Sequence, residues 1–118
     1  MGESVLRDRS KGFAKKIILL CQQMKRNGVE PPLVSQLLRC GTSVGANIHE
    51  AQYAQGRKDF ISKFEIALKE CNECDYWLDV FRDTSLLSQE TYEPLKRDVI
   101  ELKRMLVSSV RKLKEPVT

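Results

Sequence analysis

Residues 39–51 read Arg-Cys-Gly-Thr-Ser-Val-Gly-Ala-Asn-Ile-His-Glu-Ala. A polar joint, Gln52 to Lys58, follows, and the chain continues Asp59-Phe-Ile-Ser-Lys-Phe-Glu-Ile-Ala-Leu-Lys-Glu70 as far as Phe81. From Phe60 the apolar residues Phe60, Phe64, Ala67, Cys71, Cys74, Leu78 and Phe81 recur at alternating steps of four and three. That spacing puts all seven side chains on one face of a helix. The stretch before the joint is also spaced helically, at Val44, Ile48 and Ala51, but it carries Gly41 and Gly45 in its interior. An interior glycine costs a helix about 1 kcal/mol relative to alanine. Two of them therefore predict a helix kept thin for a close contact with a neighbour, and mark Gly41 and Gly45 as the place of that contact.

Working outward, the same period extends to both termini. Leu6, Ser10, Phe13, Ile17, Leu20 and Met24 form a seam over residues 5–26, which Asn27-Gly28 ends. Pro31-Pro32 opens the second helix, residues 32–54, with the seam Val34, Leu37, Gly41, Val44, Ile48, Ala51. The third runs over 58–83, with Asp59 placed to charge-stabilise its start. The fourth runs over 89–114 with Leu95, Val99, Leu102, Leu106, Ser109 and Leu113. Pro94 predicts either a start near Glu93 or a short turn before a kink. No strand-like alternation occurs. The expectation is an all-α fold, a single domain over 1–118 forming an up-down-up-down four-helix bundle.

Composition narrows the function classes. The 118 residues carry a formal charge of +4, 42% hydrophobic and 31% charged residues, as expected of one helix-rich domain with charged outer faces. No apolar run approaches the roughly 20 residues of a membrane span, and the charged N-terminus does not read as a signal peptide. A cytoplasmic protein with no membrane association is expected. Charge is unevenly spread. Residues 1–27 hold seven basic and two acidic side chains, whereas residues 59–83 hold three and seven. This predicts either attraction between helices or a basic surface for an anionic partner, RNA or DNA. The candidate contacts are Arg7, Arg9, Lys11, Lys15 and Lys16 on the first helix with Lys103, Arg104, Arg111 and Lys112 on the fourth.

Several constellations invite chemistry. Cys71-x-x-Cys74 has the spacing of a zinc or redox pair, with Cys21, Cys40 and His49 as further candidates. Both cysteines fall on the seam in mid-helix, and buried cysteine is a common core residue. A zinc site needs four convergent ligands, and a redox pair is expected at a helix start beside a βαβ unit. Core packing is the expected role, with no metal and no cofactor. His49 is the only histidine, so any Ser-His or Cys-His relay must pass through it. No acid–base or nucleophile–base pair stands out, and no enzymatic activity is expected. Asn47 and Glu50 lie a turn apart, with Arg57 and Lys58 following. A carboxylate near a core needs a partner, so Asn47, Glu50, Arg57 and Lys58 are expected to form a structural lock at the joint, Glu50 meeting Arg57, Lys58 or a donor from another helix.

Ser43-Val-Gly-Ala-Asn-Ile-His-Glu-Ala51, Arg57-Lys-Asp-Phe60 and the run Ile66-Ala-Leu-Lys-Glu70 to Trp77-Leu78 resemble the family of proteins encoded in intervening sequences of 23S ribosomal RNA. That family is similar to the accessory variability determinant of diversity-generating retroelements. His49 departs from the family's alanine, and Ala51 from its commoner glycine. The resemblance implies a left-handed four-helix bundle that assembles into a ring, a homopentamer, and brings no catalytic activity. Surplus apolar residues beside the seams (Ile18, Leu38, Ile61, Leu68, Trp77, Ile100 and Val107) independently predict self-association. The leading expectation is a non-catalytic, oligomeric binding or scaffold protein with a protein partner as one option. A nucleic-acid accessory role is the alternative, and an enzyme of unrecognised type or a metal-binding protein the distant third.

Overall fold

The computed structural model describes residues 2–116, Glu3 by its backbone only; Met1, Val117 and Thr118 of the expected domain lie outside the described residues. Four helices account for nearly all of it: α1 (Gly2–Arg26), α2 (Pro31–Ala51), α3 (Arg57–Asp83) and α4 (Gln89–Lys114). Among the described residues there is no strand, and the architecture is an all-α four-helix bundle.

The seams read from the sequence become the core. Leu6, Phe13, Ile17 and Met24 of α1, Val34, Leu37, Val44 and Ile48 of α2, Phe64, Leu78 and Phe81 of α3, and Val99, Leu102 and Leu106 of α4 are all buried. At about 25 cal/mol per Å² of apolar surface, side chains of this size each contribute roughly 1.5–3 kcal/mol. The ends of the seams are looser. Phe60 is half-buried, stacked on Phe64 with ring centroids 4.6 Å apart, and Ser109 and Leu113 are only half-buried.

Neighbouring helices run antiparallel, as their contacts require. Gly41 lies against Ile17 and Gly45 against Ser10. Arg39 reaches Glu70 while Glu50 reaches Lys63, and Lys16 meets Asp98 while Arg9 meets Glu101. α1 and α4 touch far less than the other adjacent pairs.

Helix ends explain the turns. At the end of α1, Gly28 N–H donates to Lys25 O (3.1 Å) and Val29 N–H to Met24 O (3.0 Å) with Gly28 at φ 80°, the paired bonds that close a helix through a left-handed residue. α3 ends the same way. Ser85 N–H donates to Arg82 O and Leu86 N–H to Phe81 O, but the left-handed residue is Ser85, at φ 64°.

Two expectations need correction. α2 stops at Ala51 rather than 54, because Gln52 and Tyr53 turn their amides back to His49 and Glu50. α4 begins at Gln89 and continues through Pro94 as one helix, capped by Ser88 Oγ accepting from Thr91 N–H at 3.2 Å. Pro94 is tolerated because it lies near the helix start and is exposed, like Glu90, whose carbonyl it leaves without an intrahelical donor.

Candidate functional site

The nine basic residues expected on one surface are divided by the fold. Arg9 pairs with Glu101 (3.4 Å) and Lys16 with Asp98 (2.9 Å), bridging the sparse α1–α4 seam. Lys103 is drawn to Asp75 at 3.1 Å, and Arg104 to Glu101 one turn back on its own helix. Among the described residues, Arg7, Lys11, Lys15, Arg111 and Lys112 make no ion pair. Because α1 and α4 are antiparallel, the start of α1 and the end of α4 share one end of the bundle. Arg7 and Lys11 therefore lie toward the same end as Arg111 and Lys112. Antiparallel packing thus concentrates cations that sequence distance keeps apart.

The acidic helix α3 is neutralised from both sides. Arg39 of α2 pairs with Glu70 (3.2 Å) and with Glu73. On the other flank Lys96 pairs with Asp75 and Asp79, and Lys114 with Glu65 at 2.6 Å. Partial burial alone would raise the Asp75 carboxyl, but hydrogen bonds and charge from Lys96 and Lys103 outweigh it and hold its pKa below the ordinary value. Burial opposes the charge on Lys96, yet its bonds to Asp75 and Asp79 prevail and raise it. Tyr92 joins this cluster, its hydroxyl donating to Asp79 Oδ1 at 2.5 Å under the Arg82 guanidinium, 4.3 Å from the ring centroid. Sequence reading missed the cluster. Its signal was there in the four-residue spacing of Asp75 and Asp79 and the seven-residue spacing of Lys96 and Lys103, which place each pair on one flank of its helix.

The four residues expected to lock the joint do not converge. Asn47 Nδ2 donates to Ser43 O, 2.9 Å away in its own helix. Glu50 is exposed and meets Lys63 of α3 at 3.4 Å, so its partner is the expected donor from another helix rather than Arg57 or Lys58. Arg57 turns to the carbonyl of Leu113, its Nε 2.9 Å from that oxygen. The reason is electrostatic: Leu113 sits at the carbonyl-rich end of α4, where a guanidinium is favoured. The joint itself is closed by Asp59, whose carboxylate accepts from Gln55 N–H at 3.1 Å.

The glycines make the close contact expected of them, and the neighbour, which the sequence left open, is α1. A Cβ at Gly41 would lie 2.7 Å from Ile17 Cγ2, and one at Gly45 would lie 3.2 Å from the Ser10 carbonyl oxygen. Beside Gly45 lies a surface groove of about 450 Å³ between the two helices. Arg7, Asp8 and Lys11 line it from α1, and Thr42, His49 and Gln52 from the α2 side, over a floor of Ala14, Gly45 and Ala46. Tyr53, 73% exposed, stands beside it, its ring 5.6 Å from that of His49.

All four cysteines are buried thiols from α1, α2 and α3. Burial pushes Cys21 up to about 11 and Cys71 to about 12. A hydrogen bond with Cys40, together with burial, raises Cys74 as well. Thiols held this way stay protonated and act as small core residues. Among the described residues, no group of three or more His, Cys, Asp or Glu side chains is arranged to hold a metal ion. No helix there is long and apolar enough to cross a membrane. Of the apolar residues flanking the seams, Ile18, Ile100 and Val107 are exposed and Ile61 is half-buried, whereas Leu38, Leu68 and Trp77 pack against the core. Val5 and Leu19 add to the exposed set.

Fold and surface together define a helical-bundle protein with a cationic end. The chain belongs to the 23S rRNA-intervening sequence protein family, whose model matches residues 3–108. It is similar to a protein of unknown function from the S23 ribosomal protein family of Bacteroides thetaiotaomicron VPI-5482. Its crystal structure is 41% identical with a TM-score of 0.91, and the match covers 94% of this chain and 99% of that one. No curated protein matches the chain.

Proposed function

We propose that the protein is a non-catalytic binding and scaffold module of the cytoplasm that works as a closed homo-oligomeric ring, five copies being the number its family resemblance implies. The observation that carries this reading is the exposed apolar surface on two different faces. Val5 and Leu19 stand on α1, and Ile100 and Val107 on α4, all more than a third exposed. Two unlike patches favour head-to-tail contact, which generates rings when the rotation closes. Light scattering at micromolar concentration is expected to return about five times the 13.6 kDa chain mass; a monomer mass overturns the reading. Leu19→Glu is expected to dissociate the ring while leaving helicity unchanged.

A second reading, an accessory role in nucleic-acid binding, is favoured by the cations that make no ion pair among the described residues: Arg7, Lys11, Lys15, Arg111 and Lys112. Phosphate contacts release counterions, so affinity falls with salt by a log–log slope of roughly 0.7–0.9 per phosphate. Repetition around a ring would add modest patches together. Titration of labelled RNA at about 50 and 200 mM salt tests this. Retained affinity at high salt, or no binding at low salt, rejects it.

A further inference from the structure

We propose that the α1–α2 groove is a site for a single nucleoside monophosphate unit, its phosphate on Arg7 and Lys11 and its base against the Tyr53–His49 pair. The inference deepens the nucleic-acid reading and rests on it. From the sequence, no exposed aromatic residue is interleaved with the basic residues of α1, so base stacking is not expected there. The fold changes that by placing His49 on the groove that Arg7 and Lys11 line, with Tyr53 packed against His49. Arg7 and Lys11 are one turn apart on α1 and line the groove that His49 lines from the other side. Tyr53 is the most exposed of the large apolar side chains, and its ring is tilted 59° against His49. An exposed aromatic beside paired cations is the combination that holds a single strand: cations track phosphate and the ring stacks a base.

The size is suitable, since about 450 Å³ lies within the range of small-molecule sites. Gly45 and the alanines of the floor allow close approach of the ligand to the backbone. Asp8 also lines the groove and opposes a second phosphate, which limits the site to one. Paired bases are stacked inside a duplex and cannot reach Tyr53, so the site requires an unpaired nucleotide.

The test is fluorescence anisotropy at low salt with the full chain. The ligands are a labelled ten-nucleotide oligouridylate, an RNA duplex of equal length, and uridine monophosphate as competitor. Tyr53→Ala is expected to weaken single-strand binding about tenfold, the loss of one stacked base, and to leave duplex binding unchanged. Lys11→Glu is expected to weaken both. Thermal melting by circular dichroism confirms that both exposed-site variants remain folded. Displacement of the strand by uridine monophosphate identifies the free nucleotide as a ligand; failure to displace assigns the site to the strand. Unchanged single-strand affinity in Tyr53→Ala, or equal loss on duplex, overturns the groove site. If Lys112→Glu then still weakens binding, the broader nucleic-acid reading survives. If the parent binds no RNA, both fall.

Discussion

The two hairpins of this bundle are held together by different physics. In α1–α2 the seam is steric: Gly41 and Gly45 let the helices close on Ile17 and Ser10, and no ion pair among the described residues crosses it. In α3–α4 the seam is electrostatic at its margin, with Asp75, Asp79 and Glu65 facing Lys96, Lys103 and Lys114. A charge spent across a seam is not available to a partner. Among the described residues, the glycine-packed hairpin leaves Arg7 and Lys11 without an ion pair, whereas the ion-paired one engages Lys96, Lys103 and Lys114 and leaves Arg111 and Lys112 at its end. The proposed groove site draws on the cations of the first hairpin.

The comparison can be broken most severely at Gly45. Gly45→Leu drives a side chain toward the Ser10 backbone, which cannot move aside, and is expected to cost about 3 kcal/mol or prevent folding. Urea unfolding measures it; a parent-like midpoint means the close contact is absent. Gly41→Ala comes next. Its Cβ would meet Ile17, fully buried and branched at Cβ, so roughly 1–2 kcal/mol is lost even after the helix gains about 1 kcal/mol from alanine. Gly45→Ala, with a 3.2 Å contact, should fall nearer neutral.

On the second hairpin, Asp75→Asn is expected to cost about 1 kcal/mol, because Lys96 and Lys103 lose the charge they share while water still reaches the site. The same carboxyl sets a pH dependence. Its folded pKa is below the unfolded value, so its contribution is fully present above about pH 4 and is lost as pH falls through the folded pKa. The parent should lose stability across that acid window more steeply than Asp75→Asn, as chemical denaturation at several pH values would record. Equal slopes would remove Asp75 from the account.

Ser85→Gly should act the other way, stabilising by about 0.5–1 kcal/mol. It would give the end of α3 the left-handed glycine that the end of α1 already has in Gly28. No rise in melting temperature would count against this reading of the turn. The smallest effect belongs to Lys16→Ala, at most about 0.5 kcal/mol, since the Lys16–Asp98 pair is exposed on the lysine side. A double-mutant cycle with Asp98→Ala reads the coupling directly, and a value above 1 kcal/mol would show the α1–α4 seam to be tighter than its sparse contacts imply.

Most of the fold was legible because it rests on period alone. Phe64, Ala67, Cys71, Cys74, Leu78 and Phe81 were assigned to one face by spacing, and all six are buried. Tyr92 was missed because the first two turns of α4 were obscured by Pro94, whose effect on a helix depends on how near the start it falls. The candidate site was much less legible. Arg9, Lys16, Lys103 and Arg104 read the same as Lys11 and Lys15 in sequence, yet among the described residues the first three have carboxylates on a neighbouring helix and Arg104 one on its own, while the last two pair with none.

By itself the sequence determined the helices, the buried faces, the glycine contact and the uneven charge, since these follow from spacing and composition along one chain. Only the tertiary structure decided which charges cancel and which remain, that Glu50 faces Lys63 rather than Arg57, and that His49, with Tyr53 against it, shares a groove with Arg7 and Lys11. Pairing across helices depends on register and rotation to within one residue. A heptad pattern fixes which face turns inward, but it leaves open which residue on a neighbouring helix each flanking side chain will meet.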